Sequence, residues 1–188
     1  MNKFIVCFFL CLFSTQSCFS YLLSTGTHVP YFKKAQVDNS GATQTFALNP
    51  YFGAGLQYNI SSSQFFSPEI GYVYYRDEDA KVRTELIMFQ YNFSYILNSQ
   101  FLLRYGLSTN WMRIIGEGGS VTLNNGNSTQ SFPAPDKTVS TYYSTLNIGT
   151  EYLFKNRIYG LRFDLNIMSF SKLENRAYNY LLTFNFYR

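Results

Sequence analysis

Residues 81–97 read KVRTELIMFQYNFSYIL. On an extended chain Ile87, Phe89, Tyr91, Phe93, Tyr95 and Leu97 share one face, while Met88, Gln90, Asn92 and Ser94 share the other. Successive side chains of a strand point to opposite sides, so this period of two predicts a strand with an apolar and a polar face. The pattern repeats downstream. In 101–115, Phe101, Leu103, Tyr105, Leu107 and Trp111 oppose Arg104, Gly106, Ser108 and Asn110. In 142–154, Tyr142, Leu146, Ile148, Tyr152 and Phe154 oppose Thr145, Asn147, Gly149 and Glu151. In 158–170, Tyr159, Leu161, Phe163, Leu165 and Ile167 oppose Gly160, Arg162, Asp164 and Asn166. The last segment sets Tyr178, Tyr180, Leu182, Phe184 and Phe186 against Asn179, Thr183 and Asn185.

Upstream the alternation is less regular. It is readable in 50–60 (Phe52, Ala54, Leu56, Tyr58 and Ile60 on one face) and in 66–74 (Phe66, Ile70, Tyr72 and Tyr74 against Ser67, Glu69 and Gly71). It is weakest in 22–32, where Leu23, Val29 and Tyr31 oppose Ser24, Gly26 and His28. The total is about eight strands. Pro50 and Pro68, which lack a ladder N–H, are expected at the outer end of one strand and close to a periplasmic turn in the next.

Residues 1–20, MNKFIVCFFLCLFSTQSCFS, have another character. A lysine at position 3, ten apolar residues and a small, polar stretch up to Ser20 are the layout of a secretory signal peptide, with cleavage expected after Ser20. The run is too short to span a bilayer as a helix. Cys7, Cys11 and Cys18 all lie within it, so residues 21–188 contain no cysteine and support no disulfide, thiolate metal site or thiol catalysis. The chain has one histidine, His28, which excludes chemistry built on a histidine pair. A net charge of +4 without a basic cluster gives no sign of nucleic-acid binding.

Period two alone does not separate a soluble sandwich from a membrane barrel. Three features favour the membrane. The polar faces are short of charge and carry mostly Asn, Gln, Ser, Thr and Gly, where a water-facing sheet normally shows Lys and Glu. The lysines sit in links and at strand ends. Aromatics concentrate near the turns: Tyr58, Phe66, Tyr95, Phe101, Tyr152, Phe154, Tyr159, Phe184 and Phe186 towards one boundary, and Tyr74, Trp111, Tyr142, Phe170 and Tyr178 towards the other. Such girdles anchor a barrel at its two interfaces. Short links (61–64, 98–100, 155–157) alternate with longer or more charged ones (34–42, 76–80, 116–137, 172–176), as short periplasmic turns alternate with external loops. Lipid cannot satisfy backbone groups, so the strands must close on themselves. The expected fold is all-β: a closed, antiparallel, up-and-down transmembrane β-barrel of about eight strands over 21–188.

The chain resembles the small outer-membrane β-barrels of Gram-negative bacteria, of the OmpA transmembrane-domain and OmpX kind. The resemblance rests on the leader, the alternating segments and the closing YNYLLTFNFYR. It implies location in the bacterial outer membrane, contact with outer-membrane lipid and lipopolysaccharide, and delivery by the barrel-insertion machinery. Tyr180, Leu182, Phe184 and Phe186 match the aromatic alternation of the family's sorting signal, but the chain ends in Tyr187-Arg188 instead of Phe.

Five charged residues are expected to point inward: Glu69, Arg104, Glu151, Arg162 and Asp164. An isolated charge in such an interior costs several kcal/mol, so they are expected to pair into a plug. The alternative role for this network is a gate that switches to a narrow channel. Asn124, Asn125 and Gly126 stand in the longest link, where Asn-Gly is a strong two-residue hairpin signal and where an extracellular partner is to be sought. Lys33-Lys34 offers a weak contact for lipopolysaccharide phosphates, and Asp77-Glu78-Asp79 reads as a solvated acidic turn rather than a Ca²⁺ site. No catalytic, cofactor or metal residue is assigned. With no G-x-S-x-G elbow, His28 reads as a lumen residue and the protein as no enzyme. The leading reading is a side-chain-plugged barrel with a structural or surface-interaction role. A small pore or carrier for a small or apolar solute comes second, and a lipid-modifying enzyme third.

Overall fold

The computed structural model describes residues 19–30, 36–37, 43–44, 48–75, 82–124, 129–171 and 176–188. Most of the expected leader, Lys33-Lys34, Asp77-Glu78-Asp79, Asn125 and Gly126 therefore lie outside the described residues. The strands are β1 (Phe19–Val29), β2 (Gln36–Val37), β3 (Thr43–Gln44), β4 (Asn49–Asn59), β5 (Gln64–Tyr74), β6 (Val82–Ile96), β7 (Phe101–Gly116), β8 (Ser120–Asn124), β9 (Thr129–Pro133), β10 (Val139–Leu153), β11 (Tyr159–Met168) and β12 (Ala177–Tyr187).

Eight of them close a barrel in the order β1-β12-β11-β10-β7-β6-β5-β4, every neighbour antiparallel. β1 and β12 seal it, with Leu22 opposite Tyr187 and the Tyr21 and Arg188 backbones exchanging hydrogen bonds of 2.7 and 3.0 Å. The remaining strands form two separate hairpins, β2-β3 and β8-β9.

Burial follows the alternation read from the sequence. On β6, Met88, Gln90, Asn92 and Ser94 are buried, while Phe89, Tyr91, Phe93 and Tyr95 are exposed on the outer wall. Aromatic contacts run around the periplasmic rim. They link Phe66 to Phe93 (5.2 Å), Phe93 to Tyr105 (5.8 Å), Phe101 to Tyr152 (5.2 Å), Tyr152 to Phe154 (5.5 Å) and Tyr159 to both Phe184 and Phe186 (5.5 and 5.7 Å). At the other boundary Trp111 stacks on Tyr142 at 5.8 Å. A wall whose apolar groups face out and whose polar groups face in is built for hydrocarbon, because water would reward the reverse.

The structure departs from the sequence reading in β1 and adds detail elsewhere. β1 spans Phe19–Val29 rather than 22–32, and Val29, expected outside, is buried. Its Gly, Ser and Thr content leaves the period too faint to fix the ends. β6, β7 and β10 run to 15, 16 and 15 residues, close to the segments 81–97, 101–115 and 142–154 read from the sequence and beyond the roughly 9–11 that a crossing strand needs, so three strands continue past the membrane. In the β8-β9 hairpin Asn124 pairs with Thr129, and the expected Asn125-Gly126 turn lies outside the described residues. Finally, Pro68 pairs with Tyr91 of β6 but interrupts the other ladder: between Gly55–Glu69 and Tyr58–Phe66, β4 and β5 have no paired residues. The register on both sides of the gap is the same, as expected where one donor is missing and no residue is inserted.

Candidate functional site: the lumen and the outer rim

The barrel interior is layered. Glu69, Arg104, Glu151, Arg162 and Asp164 lie no more than five residues from the periplasmic end of their strands. All five are buried. Glu69 Oε1 accepts hydrogen bonds from Arg104 Nη2 and Arg162 Nη1, each 2.8 Å, and its Oε2 accepts from Arg162 Nη1 at 2.8 Å. Asp164 lies opposite, 3.1 Å from Arg162 Nε and 3.5 Å from Arg104 Nε. The four residues make a ring of alternating charge. Glu151 attaches to it 3.5 Å from Arg104 Nη1. The Asn185 amide (2.7 Å) and the Tyr187 hydroxyl donate to Glu151. Each carboxylate thus meets a cation, the condition under which burying several charges is tolerable.

Above the ring lies a layer of amides and hydroxyls. Gln90 Nε2 donates to the Tyr51 hydroxyl (2.9 Å), Asn92 to Gln90 (3.2 Å), Asn147 to Asn92 (3.1 Å) and Thr145 to Asn147 (3.0 Å). Ser108 shares a hydrogen bond with Thr145. Nearer the outside the lining turns apolar. Tyr51, Val73, Leu86, Met88 and Leu181 form a buried cluster, with Tyr75, Met112 and Tyr143 packed on it. The sequence reading had the whole lumen lined by polar groups. Leu86, Met88 and Leu181 sit on the inward face by parity, but an apolar residue there stands out only once the strand ends are known. Tyr51 lies across two glycines: a Cβ on Gly53 would come within 2.6 Å of its hydroxyl, and one on Gly71 would strike its ring.

His28 is fully buried at this level. Its ring meets Tyr75 edge-on at 6.0 Å, and neither ring nitrogen has a hydrogen-bond partner among the described residues. Ser24, expected beside it, is buried without a partner for its hydroxyl among the described residues. No nucleophile–base contact joins the two. At the periplasmic mouth, an open cup of about 290 Å³ is floored by Leu102 and Tyr187 and rimmed by Arg157 and Arg188.

A second charged group escaped the sequence reading. Arg83 and Arg113 both bond Glu85, at 2.6 and 3.2 Å, where β6 and β7 leave the membrane. All three have the outward parity of Ile87 and Trp111. The signal was present, since Glu85 and Arg113 are direct cross-strand partners, but it required the inter-strand register.

Of the loop residues, Asn124 ends β8 and the other two lie outside the described residues. The outer ends of β6, β7 and β10 form a small sheet above the barrel. Residues 139–144 of β10 pair with β7 on one side, and the pairing with β11 begins only at Thr145. Val139 and Tyr142 on this edge are 46% and 67% exposed.

No family profile and no curated protein matches the chain. Solved structures do match. The N-terminal β-barrel domain of OprF from Pseudomonas aeruginosa is similar over 92% of this chain and 100% of that one, with a TM-score of 0.51 at 11% identity. Ail, the attachment invasion locus protein of Yersinia pestis, in its complex with the heparin analogue sucrose octasulfate, is similar over 90% of this chain and 99% of that one, with a TM-score of 0.51 at 10% identity. Neisserial surface protein A is similar over 90% and 95% of the two chains, with a TM-score of 0.50 at 10% identity. Identities this low speak to architecture and not to what is bound. The chain therefore has the fold of these small outer-membrane barrels: a cylinder closed in eight antiparallel strands, with an apolar exterior and a polar interior.

Proposed function

We propose that the protein is a surface-display barrel: a closed, non-enzymatic scaffold that holds an extracellular sheet for contact with a polypeptide partner. In this reading residues 1–20 are the secretion address, 21–188 the barrel domain, and the insertion machinery its route into the membrane. The ring of Glu69, Arg104, Arg162 and Asp164, with Glu151 attached, serves as a plug that gives the cylinder rigidity rather than conductance.

The observation that carries the reading is that, among the described residues, Val139, Ser140, Thr141 and Tyr142 have no ladder partner on the side away from β7. This run, VSTY, is uncharged, free of Pro and Gly, and rich in strand formers. Edge strands that must avoid partners carry charges, prolines or bulges, and this one carries none. An extended peptide can add to such an edge by main-chain hydrogen bonds, with Val139 and Tyr142 supplying side-chain contacts. The β8-β9 hairpin, whose first strand ends at Asn124, is a second candidate element in this reading, with Asn125 and Gly126, outside the described residues, in the same link.

Adhesion of cells displaying the protein to immobilised matrix proteins and epithelial cells tests this. The comparison is with Thr141→Pro, which blocks addition to the edge, and with a chain whose residues 117–137 are replaced by a short turn. Both variants are expected to insert normally and lose adhesion. Adhesion equal to the parent in both, or none by the parent, would sink the display reading.

A further inference from the structure

The Arg83–Glu85–Arg113 group stands on the lipid side of the wall, and its height decides what it can meet. A strand tilted about 40° climbs roughly 2.5 Å per residue. Counted from Ile96 and Phe101, the periplasmic ends of β6 and β7, Glu85, Arg113 and Arg83 sit roughly 28–33 Å up, just beyond an apolar band about 25 Å tall. That is the level of the outer headgroups. The aromatics below the group agree: the Arg83 guanidinium lies 5.7 Å from the Tyr74 ring centre, and that of Arg113 lies 5.5 Å from Trp111, which stacks on Tyr142.

One carboxylate serves two guanidinium groups here. The Glu85 side chain is 10% exposed, while those of Arg83 and Arg113 are 52% and 34% exposed. The acid is tucked under the two bases, so it orients them and leaves donors of both turned outward. A guanidinium presents five N–H donors; Glu85, and for Arg83 also the Tyr72 hydroxyl, take only a part of them. The group retains one net positive charge, fixed over an aromatic platform beside acyl chains. A lone ion pair at this height would need no such platform.

We propose that Arg83 and Arg113 form a clamp for the phosphate of a phosphorylated glycolipid of the outer leaflet, with Trp111, Tyr142 and Tyr74 packing its upper acyl and sugar portion. Charge complementarity and depth together select this occupant: the phosphate meets guanidinium forks suited to bidentate bonding, and its chains continue down the apolar wall. The two guanidinium groups stand on β6 and β7 and share only Tyr142 with the outer edge of β10, so the clamp does not depend on the display function.

Native mass spectrometry of the full chain, released from nanodiscs containing diphosphorylated or dephosphorylated lipid A in phosphatidylcholine, tests the clamp. Heat-modifiable gel migration verifies folding. The parent is expected to retain the phosphorylated lipid and not the dephosphorylated one. The Arg83→Gln/Arg113→Gln variant is expected to bind it about twentyfold more weakly, near fivefold per guanidinium. Millimolar inorganic phosphate is expected not to displace the lipid. If the double variant does not insert, Arg83→Gln alone, at a side chain that is 52% exposed, is expected to give the single fivefold loss. Equal retention of both lipids, binding unchanged in the variants, or displacement by inorganic phosphate would overturn the proposal.

Discussion

Glu69 and Arg162 are 2.8 Å apart, yet they stand on β5 and β11, which face each other across the barrel with three strands between them on either side. This ion pair spans the lumen, and 93 residues of chain separate its partners. Because both side chains are fully buried, their charges have no access to solvent to compensate for a lost partner.

Glu69→Gln is therefore expected to destabilise the barrel by about 3–5 kcal/mol, since it strands Arg104 and Arg162 with one fewer acceptor charge. Urea unfolding of the protein refolded in lipid vesicles measures this. Adding Arg162→Gln to that variant is expected to cost much less than the sum of the two single changes, because the second change removes the charge that the first left exposed.

Planar-bilayer recording is expected to show no steady conductance from the parent. Arg104→Ala removes the residue shared by Glu69, Glu151 and Asp164, and is expected to give small, cation-selective openings through the remaining acidic groups. Steady conductance of the parent that Arg104→Ala abolishes would instead mean that the network conducts.

Gly71→Ala is expected to destabilise by about 1–3 kcal/mol, the usual penalty of overpacking, because the new methyl group strikes the Tyr51 ring. The same substitution in a Tyr51→Val background is expected to be close to neutral. A cost that persists without the tyrosine would show that the backbone, and not the ring, demands glycine there.

His28→Leu is expected to leave stability unchanged or raise it by about 1 kcal/mol, since the ring brings two buried nitrogens, without partners among the described residues, into an apolar neighbourhood. Lipid A from cells producing His28→Ala is expected to have the same mass spectrum as lipid A from cells with the parent protein. A change in acylation would reopen the enzymatic reading.

Much of this architecture is written plainly in the chain. The alternation through Phe89, Tyr91, Phe93 and Tyr95 places Gln90, Asn92 and Ser94 inside with no further information, because a strand offers only two faces. The same parity places Glu69, Arg104, Glu151, Arg162 and Asp164 on the inner face. Which of them meet is another matter. That Glu69 touches Arg162 depends on strand number and stagger, which are properties of the closed cylinder. Glu85 and Arg113 were illegible for the same reason: their partnership belongs to the β6-β7 register rather than to either segment. Tyr51 precedes the alternating Phe52, Ala54 and Leu56, and its reach over Gly53 and Gly71 follows from the neighbouring strand.

The interruption beside Pro68 sets the mechanics of the wall. Seven of its eight seams are held by continuous ladders, whereas the β4-β5 seam lacks pairing at Leu56, Gln57, Ser67 and Pro68, towards the periplasmic rim. Amide protons bordering that notch will exchange before any others in the transmembrane ladders. Under load the cylinder will unzip from there, parting like a cuff at its open button while the opposite side stays fastened.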